Sequence, residues 1–175
     1  MTTTVYWSAR DLDSSPFGNH HFILILIGGY YGLPPLVTKE EGAIRFVTMG
    51  GFKVGKNLEY QPNNGSDVYS VRELLNPKKN RSNWQDYDLE RNKITAPGGN
   101  GLAFAEKLVQ LAQNYKINSA IKPVSYNLSD YNCSCWVNTM FKVAGVTKEV
   151  REKAGEFSGI DWGEEDLLDE DLFKP

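Results

Sequence analysis

Soft nucleophiles and imidazoles are scarce in this chain, whose 175 residues include two cysteines, two histidines and three methionines. Two cysteines are too few for a disulfide framework, so stability has to come from a hydrophobic core and the thiols are expected to be reduced. Charge of one sign is scarce as well. Nineteen Lys and Arg against 22 Asp and Glu leave a formal net charge of -3. The one basic cluster, "PKKNR" at residues 77–81, is too small to mark a nucleic-acid surface. No apolar run approaches the roughly 20 residues that a membrane helix needs, and the most apolar stretch, "HHFILILIGGYYGLPPLV", is broken by Gly-Gly and Pro-Pro. The opening "MTTTVYWSARDLDSS" lacks the positive start and apolar stretch of a secretory signal, which implies a chain that is cytoplasmic as synthesised. We find no internal repeat.

What is present suffices for one soluble globular domain spanning residues 1–175. The composition is 41% hydrophobic, 12% aromatic and 23% charged, in the range of chains that bury a core. Residues 20–27, "HHFILILI", form a continuous apolar run rich in β-branched side chains, the pattern of a central strand covered on both faces. The next run, "AIRFVTMGGF", alternates Ile44, Phe46 and Thr48 with Arg45, Val47 and Met49. It predicts a neighbouring strand ended by Gly50-Gly51. The middle of the chain, rich in Asn, Asp, Pro and Gly, predicts long loops, with a short helix at "SVRELL" capped by Ser70 and Glu73. Residues 101–115 place Leu102, Ala105, Leu108, Val109, Ala112 and Tyr115 at helical spacing. A second helix, "CSCWVNTMFKVA", is stopped by Gly145, and a third follows with Thr147 as its cap. "GGNG" at residues 98–101 lacks the Lys-Ser/Thr of a phosphate loop and predicts only a helix start. Leu167, Leu168, Leu172 and Phe173 would dock an acidic tail loosely.

All the reactive side chains fall in two clusters, "GNHHF" and "YNCSCWVN". With Asn132 as helix cap, Cys133 becomes the first helical residue, centred on the face carrying Val137, Met140 and Ala144. Cys135 then lies about 200° away around the helix, among Asn138, Thr139 and Lys142. The positive end of the helix favours the Cys133 thiolate. Adjacent histidines in a strand point to opposite faces, so only one can face the Cys133 helix. His21 is the first candidate and His20 the second. A thiolate beside an imidazole, with free N–H groups of the first helical turn to hold an oxyanion, is the chemistry of a cysteine hydrolase or acyl transferase. It needs no cofactor and no metal.

A His-bearing strand followed much later by "Asn-Cys-x-x-(aromatic)-Val-Asn" at a helix start resembles the circularly permuted papain-like proteins. This is the permuted NlpC/P60 group that includes the lecithin:retinol acyltransferase-like enzymes. The resemblance implies an α+β fold, an antiparallel sheet with a packed, nucleophile-bearing helix. It also implies Cys133 as nucleophile and His20 or His21 as its base. The family places a third polar residue on the strand after the His strand, where Thr48 and Arg45 are the candidates. Without a membrane anchor in view, the nearer comparison is a bacterial member that cleaves an acyl bond in a peptidoglycan peptide or a lipid. Some such domains are toxins delivered between cells by a specialised secretion route, and a toxin of that kind would have a cognate inhibitor protein.

Two other readings compete. His20, His21, Cys133 and Cys135 make a His₂Cys₂ set by composition, which a single ion could collect only if "NCSC" were a loop. A non-catalytic binding module would instead leave Cys133 far from both imidazoles.

Overall fold

Six strands and four helices make up most of a computed structural model that describes residues 2–11, 19–76, 89–158 and 166–175. The basic cluster at residues 77–81 lies outside the described residues. The strands are β1 (Thr4–Asp11), β2 (Asn19–Ile27), β3 (Lys39–Glu41), β4 (Ile44–Val54), β5 (Asn57–Pro62) and β6 (Leu89–Ile94). The helices are α1 (Gly65–Leu75), α2 (Gly101–Ile121), α3 (Cys133–Ala144) and α4 (Lys148–Gly155). All strand pairs are antiparallel, in the order β3-β4-β2-β1-β6 with β5 paired to β4. The fold is α+β.

Alternation along β1 and β2 builds two cores. Val5 and Trp7 with Ile23, Ile25 and Ile27 point to the side of α2 and α3, in the larger core. Phe22, Leu24 and Leu26 point the other way and meet Val68 and Val71 of α1. The central strand is therefore covered on both faces, as its unbroken apolar run requires.

Several expectations need correction. β2 is preceded by β1, whose alternating Val5, Trp7 and Ala9 are buried. β5, α1 and β6 occupy much of the stretch expected to be loop, and β6 escapes notice because it is an edge strand with apolar residues only at its two ends, Leu89 and Ile94. Ser70 is no cap. Helix α1 begins a turn and a half earlier, capped by the Asn64 side chain, and Ser70 bonds back to the Ser66 carbonyl. The tail docks firmly, with Leu168, Leu172 and Phe173 buried against the larger core.

Gly50-Gly51 does not end β4 but marks where it changes partner. The ladder with β2 stops at Ile23↔Met49, and from Met49 onward β4 pairs with β5. The sheet splits there, and α3 enters the split. A Cβ on Gly51 would stand 2.9 Å from both Leu58 Cδ1 and Trp136 Cγ, so the helix can approach this closely only over a glycine. Gly51→Ala is expected to destabilise the fold by about 1–3 kcal/mol through overpacking, read as a lower midpoint in urea denaturation.

Candidate active site

Helix α3 starts where its sequence places it. The Asn132 side chain accepts from the N–H groups of Ser134 (2.9 Å) and Cys135 (3.1 Å), and Gly145 ends the helix in the left-handed region at φ 98°. Cys133 is thereby fixed at the first helical position, 6% exposed. Its sulfur accepts the backbone N–H of His21 at 3.4 Å. That contact exists because β4 has left β2: Cys133 takes the place of the departed strand.

The two histidines divide as strand geometry demands. The His21 imidazole lies on the larger-core side, where its Nδ1 accepts from Trp7 Nε1 at 3.0 Å and its ring meets Phe157 edge-on. His21 therefore brings its backbone to the sulfur, while its imidazole is engaged elsewhere. The His20 imidazole lies on the α1 side, stacked on Phe22 and packed at 4.4 Å against Phe52. It stands beside the Cys133 thiol, close enough that each alters the other's titration by charge and by hydrogen bonding. The order of preference between the two histidines is reversed by this geometry.

Behind His20 stands a residue that the sequence did not disclose. Asp67, fully buried in the first turn of α1, has its Oδ1 3.4 Å from His20 Nε2, an ion-pair contact without the alignment of a good hydrogen bond. The same oxygen accepts from Arg10 Nε at 2.9 Å. Thr48 and Arg45 do not fill this place. Thr48 sits opposite Leu24, well along β2 from His20, and Arg45 sits opposite Ile27, bonded to the carbonyls of Gly29 and Tyr31. A helix begun at Ser70 leaves Asp67 in a loop. Begun at Asn64, it puts Asp67, Val68, Ser70 and Val71 on one buried face, and that spacing is the signal that could have found it.

Electrostatics follow from this order of charges. Burial disfavours both charged forms. For His20, Asp67 and then Cys133 outweigh burial and push the imidazole up to about 9. For Cys133, burial is outweighed by the charge and hydrogen bonding of His20, with smaller help from His21, and the thiol falls to about 7. Between those values the stable state is a thiolate beside an imidazolium. Below about 7 the thiolate is protonated, and above about 9 the imidazolium is lost. Alkylation of Cys133 against pH, resolved by mass spectrometry, should rise with a midpoint near 7, well below the ~8.5 of a free thiol. A midpoint at the free-thiol value would contradict the pairing.

Cys135 does not face solvent as the helical projection implies. It is wholly buried with Asn138 and Thr139, because α3 is enclosed by the sheet, α2, α4 and the C-terminal turn. Burial pushes its thiol up to about 12, so Cys135 is inert at ordinary pH. The four members of the His₂Cys₂ set do not converge on a point, since His21 faces away from His20 and Cys135 sits in the larger core.

The cap alters the expected oxyanion site. Ser134 and Cys135 spend their N–H groups on Asn132, and Trp136 donates to the Asn132 carbonyl. Of the first-turn donors, the Cys133 N–H has no partner among the described residues. The Tyr126 hydroxyl, which feels the Cys133 charge, is kept neutral because burial, and then that charge, push it up to about 12. Leu128 and Tyr131, both exposed, lie on the turn before α3, tied to the cap by Asn132 Nδ2 donating to the Leu128 carbonyl. A separate cavity of about 820 Å³ between α3 and α4, lined by Trp7, Asn138 and Arg151, contains neither thiol nor imidazole.

No protein-family model, no curated protein and no solved structure matches this chain.

Proposed function

We propose that this chain is a cysteine-dependent hydrolase or acyl transferase that acts on an ester or amide acyl bond. One observation carries the reading: a cysteine at a helix start, an imidazole beside it and a buried carboxylate behind the imidazole. His20 holds the thiol proton, so the Cys133 thiolate attacks the acyl carbon. The carbonyl oxygen becomes an oxyanion held by the Cys133 N–H and the Tyr126 hydroxyl. Collapse expels the alcohol or amine, which takes the proton from His20 and leaves a thioester. Water, or an acceptor hydroxyl or amine, gives a proton to His20, attacks the thioester and releases the thiolate.

The His strand before the Cys helix, on an antiparallel sheet, supports kinship with the permuted papain-like group as part of this proposal. Peptidoglycan peptides and lipid acyl esters are the substrate classes that this kinship suggests. A toxin role and a cognate inhibitor are further corollaries of it.

The test is acyl-enzyme trapping. Activated acyl esters of increasing chain length, with matching peptide thioesters, are mixed with the protein and the intact mass is read within seconds. The expected result is a single acyl adduct on Cys133, lost on treatment with hydroxylamine and absent from His20→Ala. No adduct from any member of the series, together with ordinary alkylation of Cys133, would overturn the reading.

A further inference from the structure

Arg10 and His20 are directly opposite each other across the β1–β2 ladder, and their side chains share the face that α1 covers. Both are buried, at 5% and 4% exposure. Two cations directly opposed in a sheet repel each other, and burial sharpens that repulsion. Asp67 lies between them, and both use one atom of it, Oδ1: Arg10 Nε at 2.9 Å, and His20 Nε2 at the longer 3.4 Å. Asp67 Oδ2 has no hydrogen-bond partner, although it is buried. The carboxylate thus favours the guanidinium, and the imidazole receives the weaker share. Arg10 is itself steadied by Nη1 donating to the Asp11 carbonyl at 3.0 Å.

We infer that Arg10 is a positioning residue that competes with His20 for Asp67 Oδ1 and thereby limits how tightly His20 holds its proton. The inference rests on the hydrolase reading for its catalytic meaning but not for its test. An imidazole paired with a free buried carboxylate would stay charged to higher pH and give up its proton reluctantly. Here the same proton has to pass to the leaving group and be regained from water. By engaging the carboxylate from the other side, Arg10 weakens the hold of Asp67 on the imidazolium without removing it, and the proton remains transferable.

Other charged groups around His20 are few. Among the described residues it is faced by Asp67 from α1, Arg10 from β1 and Cys133 from α3, while β4 offers the uncharged Gly50 and Phe52. Of these, Asp67 is the group that touches both Arg10 and His20.

The experiment is an NMR titration of the two imidazoles in the full chain, assigned with His21→Ala, for the wild type and for Arg10→Met, Arg10→Gln and Arg10→Lys. Arg10→Met and Arg10→Gln are expected to raise the His20 midpoint by about one unit, the scale of a lost neighbouring charge. Arg10→Lys, which keeps the charge, should stay within a few tenths of wild type. The upper limb of any acyl-transfer pH profile should move with the His20 midpoint. Either neutral variant suffices if the other does not fold. A His20 midpoint that is unchanged or lowered in the neutral variants, or raised equally in Arg10→Lys, overturns the inference and leaves Arg10 a structural anchor of α1. If wild-type His20 titrates as an ordinary imidazole and Cys133 alkylation ignores His20→Ala, the hydrolase reading fails instead. The two failures are thus separable.

Discussion

Cys133→Ala is expected to abolish acyl transfer, with a loss of about 10⁴-fold or more, as when the nucleophile of a catalytic unit is removed. His20→Ala should come close to it and should also return Cys133 alkylation to the pH range of an ordinary thiol, because the imidazole is what lowers the Cys133 pKa against burial. The neighbouring residues serve as controls. Cys135→Ala should keep activity within a few-fold, since that thiol is buried in the larger core and held protonated. His21→Ala leaves the backbone N–H that meets the sulfur and strands the buried Trp7 indole, a cost of about 1–3 kcal/mol in stability. Its alkylation midpoint should move up only slightly. Rates on an activated ester, with alkylation profiles for all four variants, decide the matter. A Cys133→Ala protein with full turnover, or a His21→Ala defect as deep as that of His20→Ala, would remove the mechanism.

Asp67→Ala should show the second large effect, in stability and in chemistry together. Asp67 is fully buried and carries the only carboxylate described beside the guanidinium of Arg10 and the imidazole of His20. Removing one partner of a buried ion pair typically costs about 3–5 kcal/mol, because the other charge stays buried. Urea denaturation should register a loss of that size, and Arg10→Met in the same chain should recover part of it. Chemically, His20 loses the contribution that most offsets its burial. Its pKa must then fall and that of Cys133 must rise, so the range in which thiolate and imidazolium coexist narrows. Asp67→Asn separates the two effects, keeping an acceptor for Arg10 but not the charge. It should lose less stability than Asp67→Ala and nearly as much reactivity at neutral pH. An Asp67→Asn protein with an unshifted Cys133 midpoint would show that the carboxylate orders the fold and has no part in the pair.

Helix α3 shows how far local pattern reaches. Its cap, the place of Cys133 at its first position and its glycine stop were all legible, because a cap is a contact between residues two or three apart and an αL stop is a property of one residue. The polar face assigned to the same helix was not. Asn138 and Thr139 are buried because distant segments close over them: Arg151 donates to Asn138, and Leu168 N–H donates to Thr139. Helical projection supplies angles but not the number of neighbours a helix will have.

The sequence by itself determined that an imidazole would lie on each face of β2 and that Cys133 would open a helix, since both follow from backbone periods of two and 3.6 residues. Which imidazole meets the thiol was decided only in three dimensions. It depended on β4 leaving β2 at Met49, on α3 entering the gap over Gly51, and on α1 bringing Asp67 to the opposite face. Those contacts join residues from 26 positions apart, Ile23 and Met49, to 112 apart, His21 and Cys133, and no local pattern encodes them, because strand partners and helix docking are chosen by the burial of whole faces.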